Sequence, residues 1–173
     1  MVCNVASYDI DVCYRCSDIT PFLTSISPLL AGQIEYLVLD HVSITSGACV
    51  EVLVHSLTSP HSSLHKLVLH DCTISSSDYH HLTTAIATSD LTHFITNDSL
   101  HIDVTAAKGL ATALTHSKTL EVVWVAEEPI SNDVVRVLAE AMNHSRVKEL
   151  VVEFVSRDTV LDYSYPTDRV MIN

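Results

Sequence analysis

A pattern that returns every 27–30 residues constrains this chain more than any other feature of it. Its clearest copy runs Leu64-His65-Lys66-Leu67-Val68-Leu69-His70-Asp71-Cys72-Thr73-Ile74. Another opens at Ile34, with Leu37, Leu39, Val42 and Ile44 in step; another opens at Leu120, with Val123, Val125, Glu128 and Ile130. Leu91-Thr92-His93-Phe94-Ile95-Thr96 is a looser copy, with one extra residue before Leu100-His101-Ile102. Val147, Leu150, Val152 and Val155 close the series, and a degraded copy starts at Val5 with Tyr8, Ile10 and Cys13 in register. A period of this length marks stacked units that each carry one piece of a shared core.

A second pattern follows the first. Ile74 leads to Leu82, Ala85 and Ile86; Ile102 leads to Leu110, Ala113 and Leu114; Ile130 leads to Leu138, Ala141 and Met142. Spacings of three and four residues place these side chains on one helical face. The copy opening at Ile34 fits with one inserted residue, through Leu53 and Leu57. Ser46, Ser75 or Ser76, Thr105 and Ser131 are the expected N-caps. Thr20-Pro21 reads as a cap followed by proline at the first helical position, and Pro28 is expected to end that helix early. The helix exits rhyme as well, 113–117 against 141–145.

Each unit is thus a strand, a turn and a helix. Parallel strands joined through a helix need a crossover of this length, so the expected fold class is α/β, a parallel sheet with helices outside. The chain divides into a degenerate N-terminal repeat or cap (1–33), repeats starting at 34, 64, 91, 120 and 147 (34–155), and a C-terminal cap or tail (156–173). In the cap reading, Val160, Leu161, Tyr163 and Tyr165 lie over the last repeat.

The run from Leu64 to Ile74, Leu-x-x-Leu-x-Leu-x-x-Cys-x-Ile, resembles the leucine-rich repeat with cysteine at the turn. With a period near 28 it is similar to the ribonuclease-inhibitor-like subfamily, which also forms the sensor arrays of NOD-like receptors in innate immunity. The likeness covers 34–155, and reaches residue 5 if the degraded copy is counted. Three departures stand out: Glu128 at the turn position, Thr96 at a core strand position, and the extra residue in the copy that opens at Leu91. The resemblance implies a curved solenoid of five to six repeats, with a concave sheet that binds proteins and a ligand-sensing or regulatory role in a larger receptor chain. The alternative is a regulator of a small GTPase, since the Ran GTPase-activating protein shares the repeat length and the acidity. A degenerate remnant of a longer array, with no partner, is the remaining reading.

Strand alternation sends the repeat leucines inward and the residues between them to the open face. The residue between the last two core positions is Asp9, Val38, Val68, Ile95, Trp124 and Val151 in successive copies. The next outward positions are Asp11, Asp40, His70, Asn97, Ala126 and Glu153, followed by Val12, His41, Asp71, Asp98, Glu127 and Phe154. An apolar row therefore runs beside an acidic one. The expected partner-binding residues are Val38, Asp40, Val68, His70, Asp71, Ile95, Asp98, Trp124, Glu127 and Glu153. Tryptophan dominates interface hot spots, which singles out Trp124. β-Branched residues also favour strands and pack on lateral neighbours, so the valines have a purely structural explanation too.

Charge narrows the partner. Nine Lys and Arg stand against 21 Asp and Glu, a formal net charge of −12. Such a chain is a poor match for a phosphate backbone or an anionic membrane and suits a protein with a basic patch. The first residues offer no basic or long apolar stretch of the kind a signal peptide needs, and the five cysteines are scattered and odd in number. A cytoplasmic, reduced protein is the expectation.

Chemistry is sparse. Cys13-Tyr14-Arg15-Cys16 is a CxxC without a second pair, and the expected helix begins too late to activate its thiols. Eleven histidines are present. His65, His93 and either His41 or His70 can meet across strands, near Asp40, Asp71 and Asp98, in a metal-binding or pH-sensitive patch; adventitious binding is the preferred reading. His80 and His81 point apart on a helix. With three glycines there is no phosphate-cradling loop, and no nucleophile or zinc-protease motif occurs. The chain is expected to be non-catalytic, with no cofactor and no resident metal.

Overall fold

The computed structural model describes residues 8–13, 19–97, 102–155 and 170–172. The elements run β1 (Tyr8–Cys13), α1 (Thr20–Leu30), β2 (Ile34–Asp40), β3 (Ser43–Ile44), α2 (Gly47–Thr58), β4 (Lys66–His70), β5 (Thr73–Ile74) and α3 (Ser76–Ile86). They continue β6 (His93–Asn97), α4 (Val104–His116), β7 (Val122–Ile130), α5 (Asn132–Met142), β8 (Glu149–Val155) and β9 (Val170–Ile172). The fold is α/β, with one parallel sheet ordered β1-β2-β4-β6-β7-β8-β9 and a short parallel pair, β3 with β5. No helix among the described residues is long and apolar enough to cross a membrane.

The register repeats from strand to strand. Leu37, Leu67, Phe94, Val123 and Leu150 lie side by side, and so do Leu39, Leu69, Thr96, Val125 and Val152. All ten are buried, together with Leu53, Leu82, Leu110 and Leu138 from the helices. Each fully buried leucine contributes about 1.5–3 kcal/mol, so one continuous core between sheet and helices holds the units together. Each helix also packs on the next, α1 through α5. α3 and α4 meet without room for a side chain at Gly109. There a Cβ on Gly109 would stand 2.7 Å from His80 Cα and 2.8 Å from the His80 carbonyl oxygen.

Two backbone devices recur where the chain enters a strand. The first is a shared carbonyl. His65 O accepts from the N–H groups of Thr92 and His93, Thr92 O from those of Glu121 and Val122, and Glu121 O from those of Lys148 and Glu149. The second is a serine that receives the N–H of the first buried residue: Ser62 from Leu64, Ser89 from Leu91, Ser117 from Leu120 and Ser145 from Val147.

Several expectations need correction. Ile10, expected level with Leu39, pairs with Leu37, and Asp11 rather than Asp9 lies beside Val38. A two-residue slip keeps every side chain on its own face, so hydrophobic alternation cannot detect it. Thr20 is not a cap. The N-cap is Ile19, without a side-chain bond, and the Thr20 hydroxyl meets that of Ser46 at 2.7 Å. Pro28 does not end α1, which continues to Leu30. Proline leaves the carbonyl four residues back without its N–H partner; here that carbonyl, Thr24 O, accepts from the Ser27 hydroxyl at 3.0 Å.

Ser46, Ser75 and Ser131 do cap α2, α3 and α5. The cap of α4 is Asp103 instead of Thr105: Asp103 has the extended backbone, and its Oδ1 accepts from the Ala106 N–H at 2.9 Å. At Glu128 there is no separate turn. β7 runs on to Ile130, with a register shift against β8 between Ala126 and Ile130. The one-residue insertion before Ile102 falls on 98–101, outside the described residues. So do Val160, Leu161, Tyr163 and Tyr165 of the C-terminal cap reading; beyond them β9 adds a parallel strand to β8.

Candidate functional site

The open face of the sheet follows from the same alternation. With Leu37, Leu39 and their equivalents turned into the core, the intervening side chains form rows on the face away from the helices. The middle row is Val38, Val68, Ile95, Trp124 and Val151, laterally in register. The three residues from Val38 to Ile95 are half-buried, and Trp124 is 40 % exposed. Val151, expected on the open face, is only 3 % exposed, and Ala126 in the next row is likewise 3 % exposed. The open apolar strip thus narrows toward β8.

A flanking row, Tyr36, Lys66, His93, Val122 and Glu149, was absent from the expected site. Alternation alone would have found it, two residues before each apolar position. Within it Lys66 Nζ stands 4.7 Å from the centre of the Tyr36 ring, a cation–π contact. At its edge Lys148 Nζ pairs with Glu121 Oε1 at 2.7 Å, and this bond holds the Glu121 carboxyl below its ordinary range.

The other flank carries the charge. Asp40, His70 and Asn97 lie in one lateral row and are half-buried. His41 and Asp71, the residues that follow Asp40 and His70, both take left-handed backbone conformations, with φ of 55° and 48°. Each is fastened to the next unit: the His41 N–H donates to His70 O at 2.9 Å, and the Asp71 N–H to Asn97 O at 2.8 Å. Histidine and aspartate are among the residues that tolerate this region, and the turn aims both side chains at one spot.

Asp40 Oδ1 stands 2.7 Å from His41 Nδ1 and 2.6 Å from His70 Nδ1, while His41 Nε2 reaches Asp71 Oδ2 at 2.9 Å. Beneath them the buried Cys72 thiol donates to Leu39 O at 3.2 Å, and burial pushes its pKa up to about 11.

Of the expected binding residues, then, Val38, Val68, Ile95 and Trp124 share one strip, and Asp40, His70 and Asp71 share one cluster. Asp98 lies outside the described residues. Glu127 sits on β7 and Glu153 on β8, opposite Ala126; their side chains are not among those described. His65 and His93 do not join the cluster: His65 Nδ1 contacts Ser63 O, and His93 Nδ1 contacts the Thr92 hydroxyl at 2.9 Å. His80 turns to Thr105 O on α4 and His81 to Glu51 on α2, so the adjacent pair does diverge. Against this geometry, no protein-family model matches the chain, and no curated protein matches it either.

Proposed function

We propose that this chain is a leucine-rich-repeat solenoid of the ribonuclease-inhibitor-like type, acting as a non-catalytic module that binds a protein through its open sheet. The observation that carries this reading is the strip Val38, Val68, Ile95 and Trp124, half-buried to exposed, on a sheet face that the helices leave uncovered. Apolar side chains in register along four strands offer a partner a continuous contact with an aromatic anchor near one end. The net charge of −12 favours a partner with a basic patch, drawn in by long-range attraction. The strictly sequential parallel strand order supports the solenoid, since each unit adds beside the one before it.

The test is capture from cytosolic lysate, with wild type beside a Trp124→Ala, Val68→Ser, Asp71→Ala variant and a helix-face control, Arg136→Ala, all matched by circular dichroism. A basic protein retained by wild type and by Arg136→Ala, and lost by the triple variant, is the expected result. Equal retention by all three chains would exclude the open sheet as the binding face.

A further inference from the structure

The cluster on the flank of the open face gathers two imidazoles and two carboxylates through direct side-chain contacts. A carboxylate only accepts hydrogen bonds, and a neutral imidazole donates from one nitrogen and accepts at the other. His41 sets both ring nitrogens against carboxylate oxygens, Nδ1 against Asp40 and Nε2 against Asp71. His70 brings a second Nδ1 to the same Asp40 oxygen. Asp40, His41 and His70 each bring one ligand atom to a common spot, all within 4.8 Å of one another.

We infer that Asp40, His41 and His70 form a site for a divalent first-row transition-metal ion of the zinc class, with Asp71 as its outer carboxylate. Two imidazoles and one carboxylate with an open position are a donor set such ions take readily. Asp71 supplies the feature that separates a ligand from a surface histidine. By accepting from Nε2–H it holds the proton on that nitrogen, so Nδ1 presents its lone pair to the metal. The strand register places His70 beside Asp40, and the two left-handed turns, each tied to the next unit by its N–H, place His41 and Asp71. Donor atoms around tetrahedral zinc stand about 3.3 Å apart, given bonds of about 2.0–2.2 Å. The contacts of 2.6 and 2.7 Å must therefore open by roughly half an ångström. The His41 and His70 rings, 39 % and 42 % exposed, have room to move. A fourth ligand would be water or a donor atom from a bound protein.

The experiment is a Zn²⁺ titration of the chelator-stripped chain in competition with a chromophoric chelator, with Co²⁺ absorption as the spectroscopic readout. The expected result is one equivalent bound at micromolar affinity or tighter, with a visible Co²⁺ band. His70→Ala and Asp40→Asn should abolish both signals. Asp71→Asn should keep the stoichiometry and weaken binding 10–100-fold, and His93→Ala should change nothing. His70→Gln, which keeps a hydrogen bond to Asp40, guards against loss through misfolding, with circular dichroism as the check. Loose uptake of several equivalents, or equal affinity in His70→Ala and His70→Gln beside wild type, would overturn the assignment.

Discussion

Thr96 lies directly beside Leu69 in the β4–β6 ladder, and it brings a hydroxyl into an otherwise aliphatic row. Its Oγ1 is fully buried and meets no hydrogen-bond partner among the described residues. A buried hydroxyl without a partner costs on the order of 1–3 kcal/mol. Thr96→Val keeps the shape and removes the polar atom. It should stabilise the chain by about 1 kcal/mol, seen as a rise in Tm of roughly 2–4 °C. A fall in Tm would mean that the hydroxyl has a partner after all.

Gly109 is where α3 and α4 touch. In Gly109→Ala the new methyl meets the His80 backbone, which cannot rotate aside as a side chain could. The helices must part, at a cost of roughly 1–3 kcal/mol, against at most about 1 kcal/mol gained in helix propensity. Urea denaturation should show a net loss. Adding Thr83→Ala, which clears the contact to Oγ1 only, should not restore it.

The cap assignment separates two neighbouring residues. Asp103→Ala removes the acceptor of the Ala106 N–H and should cost about 1 kcal/mol. Thr105→Ala removes no bond to a helix N–H and should fall within about 0.5 kcal/mol of wild type. Equal losses in parallel thermal melts would return the cap to Thr105.

Cys72 makes stability fall at high pH. Its pKa is raised from 9.0 to about 11 in the fold. Its contribution is therefore complete below pH 9 and lost as pH rises toward 11, because the unfolded chain releases the proton first. The loss is on the order of 2–3 kcal/mol across that window. Denaturation at pH 8 and pH 11 should show this slope in wild type and a shallower one in Cys72→Ala. At pH 8 a thiol reagent should label Cys72 only after unfolding.

The sequence made the repeat period, the strand–helix alternation and the lateral rows legible, because period two and period 3.6 are written directly in Leu64–Ile74 and Leu82–Ile86. It did not reveal the register of Tyr8–Cys13, where a two-residue slip leaves inside and outside unchanged. Nor did it reveal how α1 absorbs Pro28, which depends on the Ser27 hydroxyl finding one particular carbonyl. The convergence of His41 and His70 on one oxygen of Asp40 needed the left-handed turns, and histidine and aspartate give weaker notice of those than glycine does.

The carbonyls shared between units come from Glu35, His65, Thr92 and Glu121, so acidic, aromatic and hydroxyl side chains all serve at this position. Each bonds forward to the next unit through the main chain. Joined this way, neighbouring units place almost no chemical demand on the residue at that position. The rim beside the open face can thus accumulate substitutions while the scaffold beneath it stays the same, leaving new specificities open to drift, selection or design.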